Sequence, residues 1–430
     1  MRRIAIATLG CKTNQFESAA MAETLERDGF FVVPFEEHAD IYVINTCTVT
    51  SRTDTESRRL IRRACKRQPN AKIVVTGCYA QVAFEALRGI DGVHLVLGNA
   101  EKKNIAEFLK ETGESRRELV SDIFLERQAA GFKLENFTEH TRAFLQIQNG
   151  CDAFCSYCIV PYARGKSRSV LPEEVLTGIK LFAEKGFKEV VLTGIHIGAY
   201  GLDLSPPRDL LGLLTLIEKE RPVRRLRIGS IEPTEITTPM VRFLAASEMV
   251  CPHLHIPLQS GDDSVLLRMN RHYTISGFRK IIEEVTASIP DISLGCDVIA
   301  GFPGESDEAF ENSYKFIEAL PITYLHVFPF SSRPGTPAAT MTGKVPAGVV
   351  HKRASALRQL SERKKRGYHE KFIGKSLKVL VQEEYGEGMM KGLSDNYISV
   401  LIPGDDSMVN DEIKVRITGS GKGILKGEPV

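Results

Sequence analysis

The chain has 430 residues, with 56 Lys+Arg against 54 Asp+Glu, so its length suits two to four domains while its net charge of +2 offers no global attraction for nucleic acid. At 43% apolar and 26% charged residues it is an ordinary globular composition, and no apolar run approaches the roughly 20 residues of a membrane span. Nine cysteines, an odd number on a long chain without a secretion signal, argue for the reducing cytoplasm and for metal ligation over disulfides.

Residues 1–112 read as alternating strands and helices. The opening MRRIAIATLGCK is broken early by a polar turn, which marks a strand and not a signal peptide. Strands are expected at 4–10, 41–46, 72–77 and 94–99, with helices at 14–30, 54–67 and 81–88 between them. This βα alternation predicts an open, doubly wound parallel sheet with helices on its faces. Cys11, Cys47 and Cys78 each follow a strand in a turn-like context: LGC, NTC and TGC. Sites in such sheets form beyond the carboxyl ends of the strands, so the three thiols are expected to converge on one edge. The bland alternative is three unrelated buried cysteines. Asn14 reads as a cap for the helix after Cys11. Cys65 has no strand end to place it and reads as incidental, on a helix with a basic face of Arg58, Arg59, Arg62, Arg63, Lys66 and Arg67.

Residues 113–141 are charged and weakly periodic and read as a linker. The βα alternation then restarts. Strands are expected at 143–148, 189–194, 224–230, 253–259, 292–301 and 324–330, with helices between them, which predicts a TIM-like (β/α)6 partial barrel over residues 142–370. The first of these strands leads into GCDAFCSYCIVPYARG, where Cys151, Cys155 and Cys158 are spaced C-x3-C-x2-C. Three thiolates with no fourth in the run suit a [4Fe–4S] cube with one open iron, whereas structural zinc closes all four positions. A zinc knuckle completed from elsewhere, for example by His140 or Cys296, is the competing reading. Small and polar residues gather at the other strand ends: Gly194, Ser230, Glu232, Gln259 and Gly301, with Arg333 after the sixth strand. Such residues fit a pocket for a nucleotide-like ligand.

Residues 349–371 form a basic helical stretch, after which the period switches from that of helix to that of strand. Residues 371–430 are therefore expected to make a small antiparallel β-barrel, with eight Lys/Arg against nine Asp/Glu. A small barrel after a basic helix has the layout of an RNA-holding appendage.

The chain resembles, end to end, the methylthiotransferase branch of the radical S-adenosyl-L-methionine (SAM) enzymes. It is most similar to the bacterial tRNA threonylcarbamoyladenosine methylthiotransferases. TLGCKTNQFES, INTCTVT and TGCYAQ resemble the family's amino-terminal domain, GCDAFCSYCIVPYARGKSRS its radical SAM loop, and HIPLQSGDDSVLLRMNRHY and VIAGFPGE later core motifs. The tail resembles its RNA-associated TRAM domain. The resemblance implies two [4Fe–4S] clusters, one on Cys151, Cys155 and Cys158 and an auxiliary one on Cys11, Cys47 and Cys78. It implies SAM held near Gly194, Ser230, Glu232 and Gly301, with Gln259, Arg268 and Arg333 orienting SAM or the base. The reacting centres would be the open irons and not a side chain. The implied reaction inserts sulfur and a methyl group at C2 of N6-threonylcarbamoyladenosine next to the anticodon of a tRNA, with two SAM molecules per turnover. It needs a one-electron reductant of flavodoxin or ferredoxin type and a sulfur donor, in the cytoplasm and without a membrane. TGIHIGAYG and ARGKSRS favour this branch over the isopentenyladenosine one and over a sister branch that modifies an aspartate of a ribosomal protein.

Overall fold

Six parallel strands make the amino-terminal sheet: β1 (Arg3–Thr8), β2 (Phe31–Val33), β3 (Ile41–Thr46), β4 (Lys72–Gly77), β5 (Val93–Leu97) and β6 (Arg117–Leu119). They lie in the order β2-β1-β3-β4-β5-β6 in a computed structural model that describes residues 2–111, 117–127, 129, 134, 141–421 and 423–430. β3 is buried along its whole length, as an interior strand covered on both faces must be, which is why IYVINT reads as a near-continuous apolar run. Strand order reverses between β1 and β3, the switch point at which open α/β sheets bind ligands. Helix α1 (Lys12–Arg27) leaves β1, and α2 (Ser51–Arg67) follows β3 behind a capping box in which Thr50 and Thr53 satisfy each other's backbone donors. A short helix, α3 (Cys78–Val82), follows β4.

Two short edge strands are not apparent from the sequence. β2 has three residues, too few for a period to show. β6 lies inside the stretch 113–141 expected to be a linker and pairs with Leu95, Val96 and Leu97, so the amino-terminal sheet extends past residue 112. Its sequence, Arg-Glu-Leu, carries no apolar alternation, because backbone pairing and not burial holds it. Most of 128–140 lies outside the described residues.

The central region has six parallel strands: Arg142–Gln146, Glu189–Thr193, Arg225–Ile228, His253–His255, Ser293–Ala300 and Tyr324–Pro329. They pair as two three-stranded sheets joined by single bridges, Leu226 to Val250 and Ser230 to His255, giving the expected open (β/α)6 partial barrel. Its helices pack outside on one large apolar core, to which α1 contributes Phe16 and Ala20 from the amino-terminal domain. Helix Ala347–Glu370 closes the layer by packing Leu357 and Leu360 inward. Much of its basic character is engaged internally. Arg353 is buried against Glu305 at 2.6 Å and Asp307 at 2.7 Å, and Lys364 donates to the carbonyls of Glu318 and Leu320.

The tail closes into a five-stranded barrel of Ser376–Gly386, Met389–Ser394, Ser399–Pro403, Glu412–Gly421 and Ile424–Pro429. Its pairings are antiparallel except that of Ser399–Pro403 with Ile424–Pro429. This barrel is not an appendage. Glu189, Arg225 and Arg227, at the amino ends of the central strands, form a buried ion cluster whose guanidinium groups also donate to the carbonyls of Leu393, Ser394 and Asp395. Tyr397 stacks on His253 at 4.1 Å. The carboxyl-terminal barrel is therefore the floor of the central one. Among the described residues, no helix is long and apolar enough to cross a membrane.

Candidate cysteine-lined active site

The carboxyl ends of β1, β3 and β4 release Cys11, Cys47 and Cys78 from three neighbouring strands. Thr46 and Gly77 are partners in register, so Cys47 and Cys78 start from the same level of the sheet. Two glycines make the approach possible. Gly10 has φ +99°, and a side chain there would meet Cys47 Cβ at 2.7 Å; Gly77 has φ +95° and would meet the Thr46 carbonyl at 2.4 Å. The sheet thus brings the three sequence-distant thiols to its switch point. The Cys47 thiol is pushed up to about 12 by burial, with Cys78 and Cys11 adding to the shift.

Cys151, Cys155 and Cys158 occupy the loop after Arg142–Gln146. Burial likewise pushes the Cys158 thiol up to about 12 against a hydrogen bond from the Val160 N–H, with Cys155 and Cys151 adding to it. Positive groups face this trio. Arg271 donates to Cys155 Sγ at 3.2 Å and pairs with Glu232. His196 Nδ1 lies 3.6 Å from Cys151 Sγ, and its Nε2 lies 2.5 Å from Glu235. Burial alone would lower the pKa of His196, but its contacts with Cys151 and Glu235 raise it to about 10, so the ring stays an imidazolium at neutral pH. All nine cysteines are free. Burial holds Cys47 and Cys158 as thiols until a metal centre takes the charge, and the all-sulfur donor sets fit iron–sulfur ligation.

The two trios are held together by one side chain that lies inside the stretches GCDAFCSYCIVPYARG and ARGKSRS but whose partners those stretches do not reveal. Arg164, from the helix Val160–Arg164 just after the cysteine loop, is buried in the amino-terminal domain. It donates to Glu17 at 2.8 and 3.0 Å, to Asn14 Oδ1 at 2.6 Å and to Asn149 at 3.0 Å. Glu17 also holds the buried Lys102 at 2.5 Å. Burial alone would raise the Glu17 pKa, but Arg164 and Lys102 hold it at about 2. Asn99 donates both to Cys78 Sγ at 3.9 Å and to the Ala163 carbonyl at 2.7 Å, a direct link from one cysteine site to the loop of the other. Asn14 is not a helix cap. Cys11 occupies the cap position, and Asn14 Nδ2 binds the carbonyls of Leu9 and Thr46, tying together the two strand ends that carry Cys11 and Cys47.

A cavity of about 1360 Å³ runs between the domains, with Cys11 and Cys47 on one wall and Gly194, Ser230 and Gly301 on the other. Glu232 stands beside it through its pairing with Arg271. Gln259 is nine-tenths buried in a left-handed turn (φ +63°), and its backbone bonds to Asp297 and Ile299. Arg268 and Arg333 both contact neighbouring loops of the chain. Arg268 donates to the carbonyls of Pro303 at 3.1 Å and Thr342 at 3.4 Å. Arg333 is buried against Asp54 and Thr48, both at 2.6 Å, and so pins the Cys47 loop to the central barrel. Both were expected to orient SAM or the base, and the contacts they make within the chain hold loops. Cys296 sits wholly buried in the central core near Lys364, on the helix side, and completes no zinc knuckle; His140 lies outside the described residues.

Comparison with known proteins agrees with this layout. A family model described as an uncharacterized protein family, UPF0004, matches residues 3–98, and the radical SAM superfamily model matches residues 145–317. The threonylcarbamoyladenosine tRNA methylthiotransferase MtaB of Bacillus subtilis is 38% identical over all of this chain and 96% of that protein. Its namesake in Aquifex aeolicus is 40% identical over 93% of this chain and 96% of that protein. A tRNA-2-methylthio-N(6)-dimethylallyladenosine synthase from Pelotomaculum thermopropionicum is 31% identical over 99% of this chain and 97% of its own. Among solved structures, the radical SAM methyltransferase TsrM of Kitasatospora setae shares the fold at TM-score 0.56 and 17% identity, covering 79% of this chain and 77% of that one. Identity at this level along the whole chain, with both cysteine trios in place, settles its kinship: the chain belongs to the radical SAM methylthiotransferase family.

Proposed function

We propose that this protein is a tRNA methylthiotransferase that adds a methylthio group at C2 of N6-threonylcarbamoyladenosine next to the anticodon. In this reading Cys151, Cys155 and Cys158 hold the [4Fe–4S] cluster that binds SAM, and Cys11, Cys47 and Cys78 hold a second one. Two SAM molecules would be needed per turnover, one to supply a radical and one to supply the methyl group. Bound there, these groups supply radical and sulfur chemistry for an unactivated C–H bond, which acid–base side chains cannot break.

The chain's own residues do the placing. His196 and Arg271 set positive charge against Cys151 and Cys155, stabilising the ionised thiols. Arg271 also fixes Glu232 at the strand end where a SAM-sized ligand would lie. Arg164, Glu17 and Arg333 lock the amino-terminal domain against the central barrel beside the cavity. The base must leave its stack to reach such a cavity, and phosphate contacts must hold the rest of the tRNA. The basic face of α2, lined by Arg59, Arg62, Arg63, Lys66 and Arg67, is the tRNA grip we favour. A reductant, a sulfur donor and a cytoplasmic setting complete the reading.

The observation that carries the proposal is the presence of two three-cysteine groups, one in each domain, whose loops are tied together by Arg164 and Asn99. Mass spectrometry of tRNA nucleosides from cells with and without this chain tests it. The methylthio adduct of threonylcarbamoyladenosine should disappear without the chain. Loss of the isopentenyladenosine adduct instead, or of a methylthio mark on a ribosomal protein, would overturn the substrate assignment.

A further inference from the structure

Three metal-ligating side chains outside both cysteine trios meet in the cavity: His255, Asp297 and His326. They come from three consecutive strands of the central barrel, His253–His255, Ser293–Ala300 and Tyr324–Pro329. In register, Asp297 lies opposite His326, and His255 lies opposite Gly295, two residues before Asp297, so all three project from one face. Gly295 is what leaves room. A side-chain carbon there would lie 2.7 Å from His255 Nδ1 and on top of the Tyr324 ring.

The donor atoms are close and convergent. His255 Nε2 is 2.8 Å and His326 Nδ1 is 3.3 Å from the same oxygen, Asp297 Oδ1, and the two imidazoles stack with centroids 4.9 Å apart. A first-row divalent ion binds such ligands at about 2.0–2.2 Å, which puts neighbouring donors on one octahedral face roughly 3 Å apart. The observed spacings bracket that figure. The support behind His255 also fits: its far nitrogen, Nδ1, lies 3.5 Å from Tyr324 Oη, which in turn lies 2.9 Å from the buried His253 Nε2. A hydrogen bond from Nδ1–H to this tyrosine leaves the Nε2 lone pair aimed at the centre, the arrangement that orients a metal-bound histidine.

We propose that His255, Asp297 and His326 form a two-histidine, one-carboxylate site for a divalent first-row transition cation. Its open positions face the cavity and take water or an oxygen donor from a ligand. The site is chemically distinct from the thiolate trios, because imidazole and carboxylate suit zinc or iron(II) as single ions while clustered thiolates suit iron–sulfur centres. It does not depend on which base the enzyme modifies.

Zinc binding to the cluster-loaded enzyme tests this. The protein is given one equivalent of Zn²⁺, desalted, and measured by elemental analysis and zinc-edge X-ray absorption. The expected result is one retained zinc per chain with a nitrogen/oxygen shell at about 2.0–2.1 Å, and none of the sulfur shell near ~2.3 Å that binding in a cysteine trio would give. Asp297→Asn and His326→Phe should each reduce retained zinc by about tenfold or more while iron content and visible cluster absorbance stay unchanged. His326 has a half-exposed side chain, so its variant keeps the test informative should Asp297→Asn not fold. No retained zinc, a sulfur shell in the parent protein, or full retention in His326→Phe would each overturn the proposal.

Discussion

The two cysteine trios, which the proposed function gives the same kind of work, are built by opposite constructions. Cys151, Cys155 and Cys158 sit on one loop, so their spacing is written into eight consecutive residues. Cys11, Cys47 and Cys78 are spread over 68 residues and exist as a site only because β1, β3 and β4 are neighbours in a parallel sheet. A loop site survives as long as its loop does. A sheet-edge site depends on the whole domain and on Arg164, which reaches it from the other domain.

Removing one ligand from each trio gives the largest contrast. Cys155→Ala should abolish release of deoxyadenosine on reduction with SAM and should abolish modification. Cys47→Ala should abolish modification while leaving that SAM cleavage in place. Each variant should lose about half of a full complement of roughly eight irons, measured on anaerobically reconstituted protein. Equal loss of SAM cleavage in both would mean that the trios are not separate functional units.

The next contrast removes the link between them. Glu17→Ala leaves Arg164 and Lys102 buried without a counter-charge, which costs about 3–5 kcal/mol. The loss should fall on the sheet-edge trio, seen as iron that drops toward half while deoxyadenosine release persists. The same group sets an acid limit. Its pKa is depressed in the folded chain to about 2 from an ordinary 4.5, so its stabilising effect is complete above pH 4.5 and is lost as pH falls towards 2. That loss is roughly 3 kcal/mol for a fully buried carboxylate. Urea unfolding followed by circular dichroism at neutral and acid pH should show a smaller acid-side loss in Glu17→Gln than in the parent chain.

What was legible in the sequence follows the same division. The loop trio needed only local spacing, and the sheet-edge trio needed strand ends plus the rule about where parallel sheets bind ligands. Arg164 was hidden because its partners Glu17 and Asn14 lie about 150 residues away, and no local pattern records such a pairing. The contact of Arg333 is hidden for the same reason: beside a strand end it looks free for a ligand, while its partner Asp54 lies 279 residues away. Asp297 was masked inside the apolar run ISLGCDVIAG, where only the pairing register reveals that it and His326 share a face. The tail was legible as a barrel but not as a floor, since Tyr397 meets His253 only when the domains dock. Deleting residues 371–430 would therefore bare the Glu189–Arg227 cluster as well as any RNA surface.

A milder test of the tRNA grip follows from that geometry, because it leaves both domain interfaces untouched. The α2 face and the helix Ala347–Glu370 looked equally basic in the sequence, yet they differ in how the charge is used. Arg353 and Lys364 of the long helix are tied to the central barrel, whereas Arg62 and Lys66 line a surface groove made of basic residues alone. Neutralising Arg62 and Lys66 together should weaken tRNA binding only several-fold. It should also reduce the slope of log affinity against log salt by about 0.7–0.9 for each phosphate that the protein no longer neutralises. Deoxyadenosine release without tRNA should not change. An unaltered salt slope would move the grip from α2 to another face, with the long helix then needing its exposed Lys352 and Arg366 to supply it.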